Sequence, residues 1–217
     1  MKVFIVHYKK LFERKIHILE QFIKHGIRDY EFIQIDRDEI PNDVLPFFAD
    51  NYEKPLMAIA LSHFHAYKQI VEKYDHALIL EDDVILDEYF TVKLNRYLAE
   101  LPRDYDMFFI GNGAYLHIDP ALVIPNKYIY KKDPYPSEWG GLGATRCLDS
   151  YIVSKKGALK ICEYIQKLEY KINDPLDYWL NIPILEWMMT IYWAEPTIVS
   201  QGTQNGIFES SYELEKK

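Results

Sequence analysis

Three consecutive carboxylates, Glu81, Asp82 and Asp83, stand directly behind an apolar run in the segment HALILEDDVILDEYF, residues 76–90. Like charges this close repel one another and are costly to remove from water, so the block needs either open solvent or a cation. A solvated strand-end turn is the ordinary fate of an acidic run. The chemical alternative is that Glu81 and Asp83, at i and i+2 around Asp82, offer hard oxygens. Such oxygens suit manganese or magnesium, ions that also take oxygens from a substrate diphosphate. An EF-hand is excluded, because DDVILDEYF lacks the alternating Asp/Asn ligands and the central Gly. Spacing alone leaves the solvated and metal-binding readings open.

What the block can do depends on the elements that carry it. KVFIVHY (residues 2–8) reads as a buried strand. Residues 13–26 read as an amphipathic helix with Ile16, Leu19, Phe22 and Ile23 on one face and Gly26 as its stop. Residues 30–36 form a second strand, 55–75 a long helix opened by Pro55, and 76–82 a third strand. A helix over 87–102 and a strand over 105–112 follow. After a polar loop bearing Pro and Gly, SYIVS (150–154) is a short strand feeding a helix from 155 to about 168. This alternation predicts an α/β sandwich with a mostly parallel central sheet flanked by helices. In such sheets ligands gather at the carboxyl ends of the strands, where residues 81–83 stand.

The 217 residues are 49% hydrophobic and contain no linker, low-complexity segment or repeat, which predicts one domain over 1–217. A net charge of -8 argues against nucleic acid as a partner. The opening MKVFIVHYKK is too short for a signal h-region, and no run approaches a membrane span. A cytoplasmic protein without a transmembrane segment is expected, with room for peripheral membrane contact. Cys147 and Cys162 lack CxxC spacing and read as core thiols. GNGAYL (111–116) has Leu116 at the sixth position, so it reads as a turn and not a dinucleotide fingerprint.

The run ALSHFHAYKQIVEKYDHALILEDDVIL, residues 60–86, resembles glycosyltransferase family 25, in which a Leu-Ser-His helix precedes an apolar strand ending in Glu-Asp-Asp. Upstream, VFIVHYKKLFERK resembles the family's first strand, loop and helix arginine, here Arg14, with His7 where Asn is usual. Downstream, YDMFFIGN, SYIVSKKGALKI, DPLDYWL and PTIVSQGTQNGIFESS resemble further family segments, so the likeness spans about the whole chain. The resemblance implies a GT-A type nucleotide-sugar-binding fold and a divalent ion, Mn2+ or Mg2+. It implies inverting transfer of a hexose, galactose or glucose, from a UDP-sugar donor. The acceptor would be a hydroxyl of a glycan, a lipopolysaccharide or a glycoprotein, hydroxylysine included.

By the same resemblance Glu81 and Asp83 are the metal ligands, and Arg14, Ser62, His63, Glu81, Asp82 and Gln201 meet the nucleotide sugar. Ser62 competes with a bond to its own helical turn, and His63 with a satisfied core role. His65 reads as structural and Asp149 as a weaker pocket candidate. With no histidine after His117, the sequence places no third metal ligand, and Gln201 or Ser210 is expected to meet phosphate or metal-bound water instead. SEWGGLGATR (137–146) reads either as a lid over the donor or as a plain surface loop. Inverting transfer also needs a carboxylate facing the acceptor hydroxyl. Asp177, in the Pro-x-Asp segment, fits that role, with Tyr178 and Trp179 as an aromatic platform. Capping of a helix beginning near Tyr178 is the competing use of Asp177, and Asp174, Glu186 and Asp149 are the alternative bases. Two rival classes stand beside this reading: an inactive homologue that binds a nucleotide sugar or glycan, and a metal-dependent phosphotransferase or nucleotidyltransferase.

Overall fold

Strand β1 (Lys2–Val6) alternates its buried side chains between two cores, Phe4 and Val6 on one face and Val3 and Ile5 on the other. A strand apolar on both faces must be covered on both. The computed structural model, which describes residues 1–134, 143–167 and 169–210, shows that cover. The helices are α1 (Phe12–His25), α2 (Lys54–Lys73), α3 (Phe90–Glu100) and α4 (Lys155–Gln166), with short turns α5 (Leu176–Trp179) and α6 (Asn181–Glu186). Phe64, Tyr67 and Ile70 of α2 and Ala158 and Ile161 of α4 pack on the face of Phe4. Ile18 and Phe22 of α1 and Phe90, Leu94 and Tyr97 of α3 pack on the other.

The remaining strands are β2 (Tyr30–Ile33), β3 (His76–Glu81), β4 (Val84–Leu86), β5 (Met107–Phe109), β6 (Ile129–Lys132), β7 (Ser150–Ser154), β8 (Ile191–Ala194) and β9 (Val199–Gln201). Seven of them form one sheet in the order β2-β1-β3-β7-β5-β8-β6. β2, β1, β3, β5 and β8 share one direction, while β7 and β6 run against them. The expected mostly parallel sheet is therefore present, with a reversed strand at its centre. That reversal matters for the site. Ser150, where β7 begins, pairs with Leu80 near the carboxyl end of β3, so Asp149 is delivered to the same edge as Glu81. β4 and β9 form a separate antiparallel pair, Val84 opposite Gln201, which folds residues 199–210 back onto the acidic block.

Helix α1 corrects one expectation. It buries Arg14, Ile18 and Phe22, four residues apart, and leaves Ile16 and Ile23 exposed together with Phe12. The buried stripe is turned because Arg14 reaches inward to an ion pair with Asp82. Gly26 does end the helix, in the left-handed conformation at φ 68°, with its N–H on the carbonyls of Phe22 and Ile23. Among the described residues no helix is long and apolar enough to cross a membrane.

Of the lid-like segment, residues 137–142 lie outside the described residues. Its last residues are fixed. The Ala144 N–H donates to Asn181 Oδ1 at 2.7 Å, and the Trp193 indole donates to the Ala144 carbonyl at 2.7 Å. Arg146 is fully buried; it donates to Leu116 O (2.6 Å), Ala194 O (2.8 Å) and Glu195 Oε2 (3.0 Å) and lies over the Trp193 ring. Replacing Arg146 by Ala strands two backbone carbonyls and a carboxylate, so Arg146→Ala should lose about 3 to 5 kcal/mol of stability in urea denaturation. Arg146→Lys should recover only part, since an ammonium cannot reproduce the fork. A loss below ~1 kcal/mol in the Ala variant would contradict this account.

Candidate active site

β3 ends at Glu81, and the chain then turns through Asp82 and Asp83 into β4. Neither aspartate keeps contact with water: Asp82 is 4% exposed and Asp83 1%. The solvated-turn reading therefore fails for both. The three carboxylates do different things.

Asp82 is an internal clamp. Its Oδ2 meets His7 Nδ1 at 2.7 Å and its Oδ1 accepts from Arg14 Nη1 at 2.9 Å. Arg14 is itself buried; it donates to the Glu209 carbonyl at 2.6 Å and lies 3.9 Å from Asp83 Oδ2. The nucleotide contacts expected of Arg14 and Asp82 thus meet side chains already engaged with each other.

Asp83 has one oxygen held and one free. Its Oδ2 accepts from both the hydroxyl and the N–H of Thr203, the latter at 3.3 Å, whereas Oδ1 is buried without a partner. Burial raises this carboxyl, opposed by Thr203 and by the Arg14 charge. Glu81 is half-buried, with its N–H on the Asp149 carbonyl at 2.8 Å and its Oε2 3.3 Å from the donating Gln201 amide. Its carboxyl is pushed well above the ordinary range, first by burial and then by Asp83, Asp149, Asp82 and Asp177.

Asp149 is more central than the sequence indicates. It is 1% exposed, accepts from the Ser150 hydroxyl at 2.8 Å through Oδ2, and leaves Oδ1 buried and unpartnered. Burial is the main cause that lifts its carboxyl to about 7. Gly111 and Gly113 make room for it. A Cβ at Gly111 would stand 2.2 Å from Asp149 Oδ2, and one at Gly113 2.7 Å from Oδ1. The GNGAYL turn therefore packs directly against the Asp149 carboxylate.

Asp177 is half-buried in α5, near enough to raise Glu81 and the Cys147 thiol. α5 starts at Leu176 with Pro175 at the cap position and no side-chain cap, so Asp177 is not the capping residue. Its backbone carbonyl is held by the Thr145 hydroxyl (2.8 Å) and the Asn181 amide (3.0 Å). Burial raises its carboxyl, against the first-turn N–H groups and the Cys147 thiol. Of the two expected platform aromatics only Tyr178 is exposed; Trp179 is buried edge-on against Tyr164. Cys147 is correspondingly no simple core thiol, since burial and the carboxylates of Asp177, Asp149 and Glu81 all raise it.

Ser62 and His63 make the contacts that compete with a pocket role. The Ser62 hydroxyl donates to the Ala58 carbonyl of its own turn at 2.8 Å. His63 is fully buried, 2.8 Å from the Tyr151 hydroxyl, and burial drives its imidazole down to about 3, so it is neutral. His65, read as structural, is exposed and lines a separate groove of about 570 Å³ with Lys9, Asp36 and Lys68.

Among the described residues no three His, Cys, Asp or Glu side chains are grouped so as to hold a cation on their own. The donor set nevertheless suits a hard divalent ion that draws further ligands from a diphosphate. Asp83 Oδ1 is a buried carboxylate oxygen with no partner, beside a raised Glu81.

A model of glycosyltransferase family 25 (LPS biosynthesis protein) matches residues 1–177. The chain belongs to glycosyltransferase family 25. A glycosyltransferase 25 family member of Aedes aegypti is 22% identical over 205 residues, covering 82% of this chain and 32% of that protein. The family 25 chain thus spans about a third of that relative's length. The crystal structure of a glycosyltransferase involved in the glycosylation of the major capsid of PBCV-1 superimposes with a TM-score of 0.54 at 11% identity, covering 99% of this chain and 98% of that one. That likeness is one of fold, and it supports the expected GT-A type. The family match takes in Arg14, the acidic block, Asp149 and Asp177, and stops before Gln201 and Thr203.

The raised Asp149 carboxyl has a measurable consequence. Near pH 4 the folded form keeps a proton that the unfolded chain, at its ordinary value of 3.8, begins to release. Between about pH 4 and 7 the unfolded state therefore binds fewer protons and stability falls; above 7 both states are ionised and the penalty is constant. Asp149→Asn lacks the penalty. In metal-free buffer its stability relative to the parent should improve from pH 4.5 to 7.5, by on the order of 1 kcal/mol or more. A difference that stays flat with pH would show that Asp149 is not protonated at low pH in the fold.

Proposed function

We propose that this family 25 chain is a metal-dependent inverting glycosyltransferase that moves a hexose from a UDP-sugar to a hydroxyl of a glycan, lipopolysaccharide or glycoprotein acceptor. Residues 1–217 act as its catalytic unit. The observation that carries the reading is the buried Asp83 Oδ1, unpartnered among the described residues just past the carboxyl end of β3, next to a Glu81 raised by burial and by the carboxylates of Asp83, Asp149, Asp82 and Asp177. Family membership favours a cation with a nucleotide diphosphate as the balancing partner. Asp83 and Glu81 would hold Mn2+ or Mg2+, which when bound supplies positive charge to the leaving diphosphate.

The protein's own groups supply the rest. Asp82, locked by His7 and Arg14, fixes the turn that presents Asp83 and cannot swing away. Asp177 has a carboxyl raised by burial, which makes it a stronger proton acceptor than a solvated aspartate, and it takes the proton of the acceptor hydroxyl. The exposed Tyr178 ring beside it offers an acceptor sugar a flat apolar surface.

Incubation with a panel of UDP-hexoses and Mn2+ should release UDP. EDTA should stop the release, excess Mn2+ should restore it, and Asp83→Ala should abolish it. Full activity after exhaustive chelation would refute the metal role. Asp177→Asn should fold and show the parent's thermal shift with UDP and Mn2+, yet lose transfer by roughly 100-fold or more. Near-parent turnover in that variant would move the base to Asp149, Asp174 or Glu186.

A further inference from the structure

The segment that follows β9 is pinned to the acidic turn at two points. At the first, the Gly202 N–H donates to the Asp83 carbonyl at 2.7 Å, and the next residue, Thr203, gives both its N–H and its hydroxyl to Asp83 Oδ2. The approach is as close as a backbone allows: a Cβ at Gly202 would stand 2.7 Å from the Asp83 carbonyl oxygen and 2.7 Å from the Phe208 ring. At the second, Phe208 packs edge-on to His17 and under the Arg14 guanidinium, while Arg14 donates to the Glu209 carbonyl. Arg14 also holds Asp82. Thr203 is thus carried on a stretch anchored on either side of it, and its hydroxyl is not free to drift.

The consequence falls on one atom. A carboxylate rotates about its Cβ–Cγ bond, so an unrestrained Asp83 would present either oxygen, or both, in many orientations. With Oδ2 taken by two donors of Thr203, Oδ1 alone remains, buried and without a protein partner. Outer donors of this kind fix the orientation of a metal-binding carboxylate, and their loss typically costs 10- to 100-fold in affinity.

We propose that Thr203 is a positioning residue for the cation site: it locks Oδ2 of Asp83 so that Oδ1 is the oxygen offered to a divalent ion. This rests on the reading of Asp83 as a metal ligand. The family match ends at residue 177, so no feature of the matched pattern assigns Thr203 this part. A threonine whose role is only to hold the segment in place would be equally well explained by stability, and the test must separate the two.

Mn2+ binding is titrated by electron paramagnetic resonance, with the metal alone and with UDP added, on the parent, Asp83→Asn, Thr203→Val, Thr203→Ala and Thr203→Ser. Melting midpoints are recorded in parallel. Thr203→Val, nearly isosteric, and Thr203→Ala, which cannot clash, should each weaken Mn2+ by about 10-fold or more in protein that is still folded. Thr203→Ser, which keeps the hydroxyl, should return to within about threefold of the parent. Parent-like Mn2+ affinity in folded Thr203→Val or Thr203→Ala, with binding lost in Asp83→Asn, overturns the role of Thr203 and leaves the metal reading standing. A Thr203→Ser variant as weak as Thr203→Val also overturns it, because the hydroxyl would then not be the operative group. Undiminished Mn2+ binding in Asp83→Asn, or no binding by the parent with or without UDP, overturns both.

Discussion

The structure depends on how it tolerates removing Asp82 and Asp83 from water at the end of a buried strand. A lone buried carboxylate would give up its charge or unfold the turn. Asp82 keeps its place because His7, from the end of β1, and Arg14, from α1, come with it. That requirement reaches backwards into the fold. It rotates α1 so that a guanidinium faces the core and Ile16 and Ile23 face solvent, and it ties the first helix to residues near 209. Asp82 thus takes the closest cationic contacts of the block, which leaves Asp83 only the farther edge of Arg14 and Glu81 a ring of carboxylates.

The central reversed strand is the second constraint. In an all-parallel sheet the residue preceding a strand lies at the edge away from the ligand. Because β7 runs antiparallel between β3 and β5, its leading residue Asp149 meets the trailing residues of both. The two glycines of residues 111–113 then become a steric necessity of that meeting, since any side chain there would collide with the Asp149 carboxylate.

Much of this was legible in the sequence, and for physical reasons. Long helices with a strong period, the β1 and β3 strands, and the Gly26 stop come from local pattern, and the acidic block behind an apolar run marked the site. The apolar face expected of α1 differs from the buried one because helical periodicity counts apolar residues and is blind to a buried ion pair such as that of Arg14. β8, four residues of IYWA, and the three-residue strands β4 and β9 are too short for any period to show. Ser62 and His63 carried the family pattern, but a side chain's hydrogen bonds cannot be read from its neighbours in sequence; one turned to its own helix and the other to Tyr151. Thr203 lies in the segment PTIVSQGTQNGIFESS that resembles the family, but its contact could not be read from sequence, as it is 120 residues from the carboxylate it holds.

That separation has a bearing on how the molecule comes together. β1, α1, α2 and β3 are contiguous, and their parallel pairs can form as soon as residue 81 is available. The pairing of β4 with β9, and the contacts of Gly202, Thr203 and Glu209, close chain loops of more than a hundred residues, the slowest and entropically most costly contacts to make. A chain with a finished sheet is therefore not yet a chain with a finished acidic turn, because the contacts that complete the turn are those that chain entropy makes slowest to form.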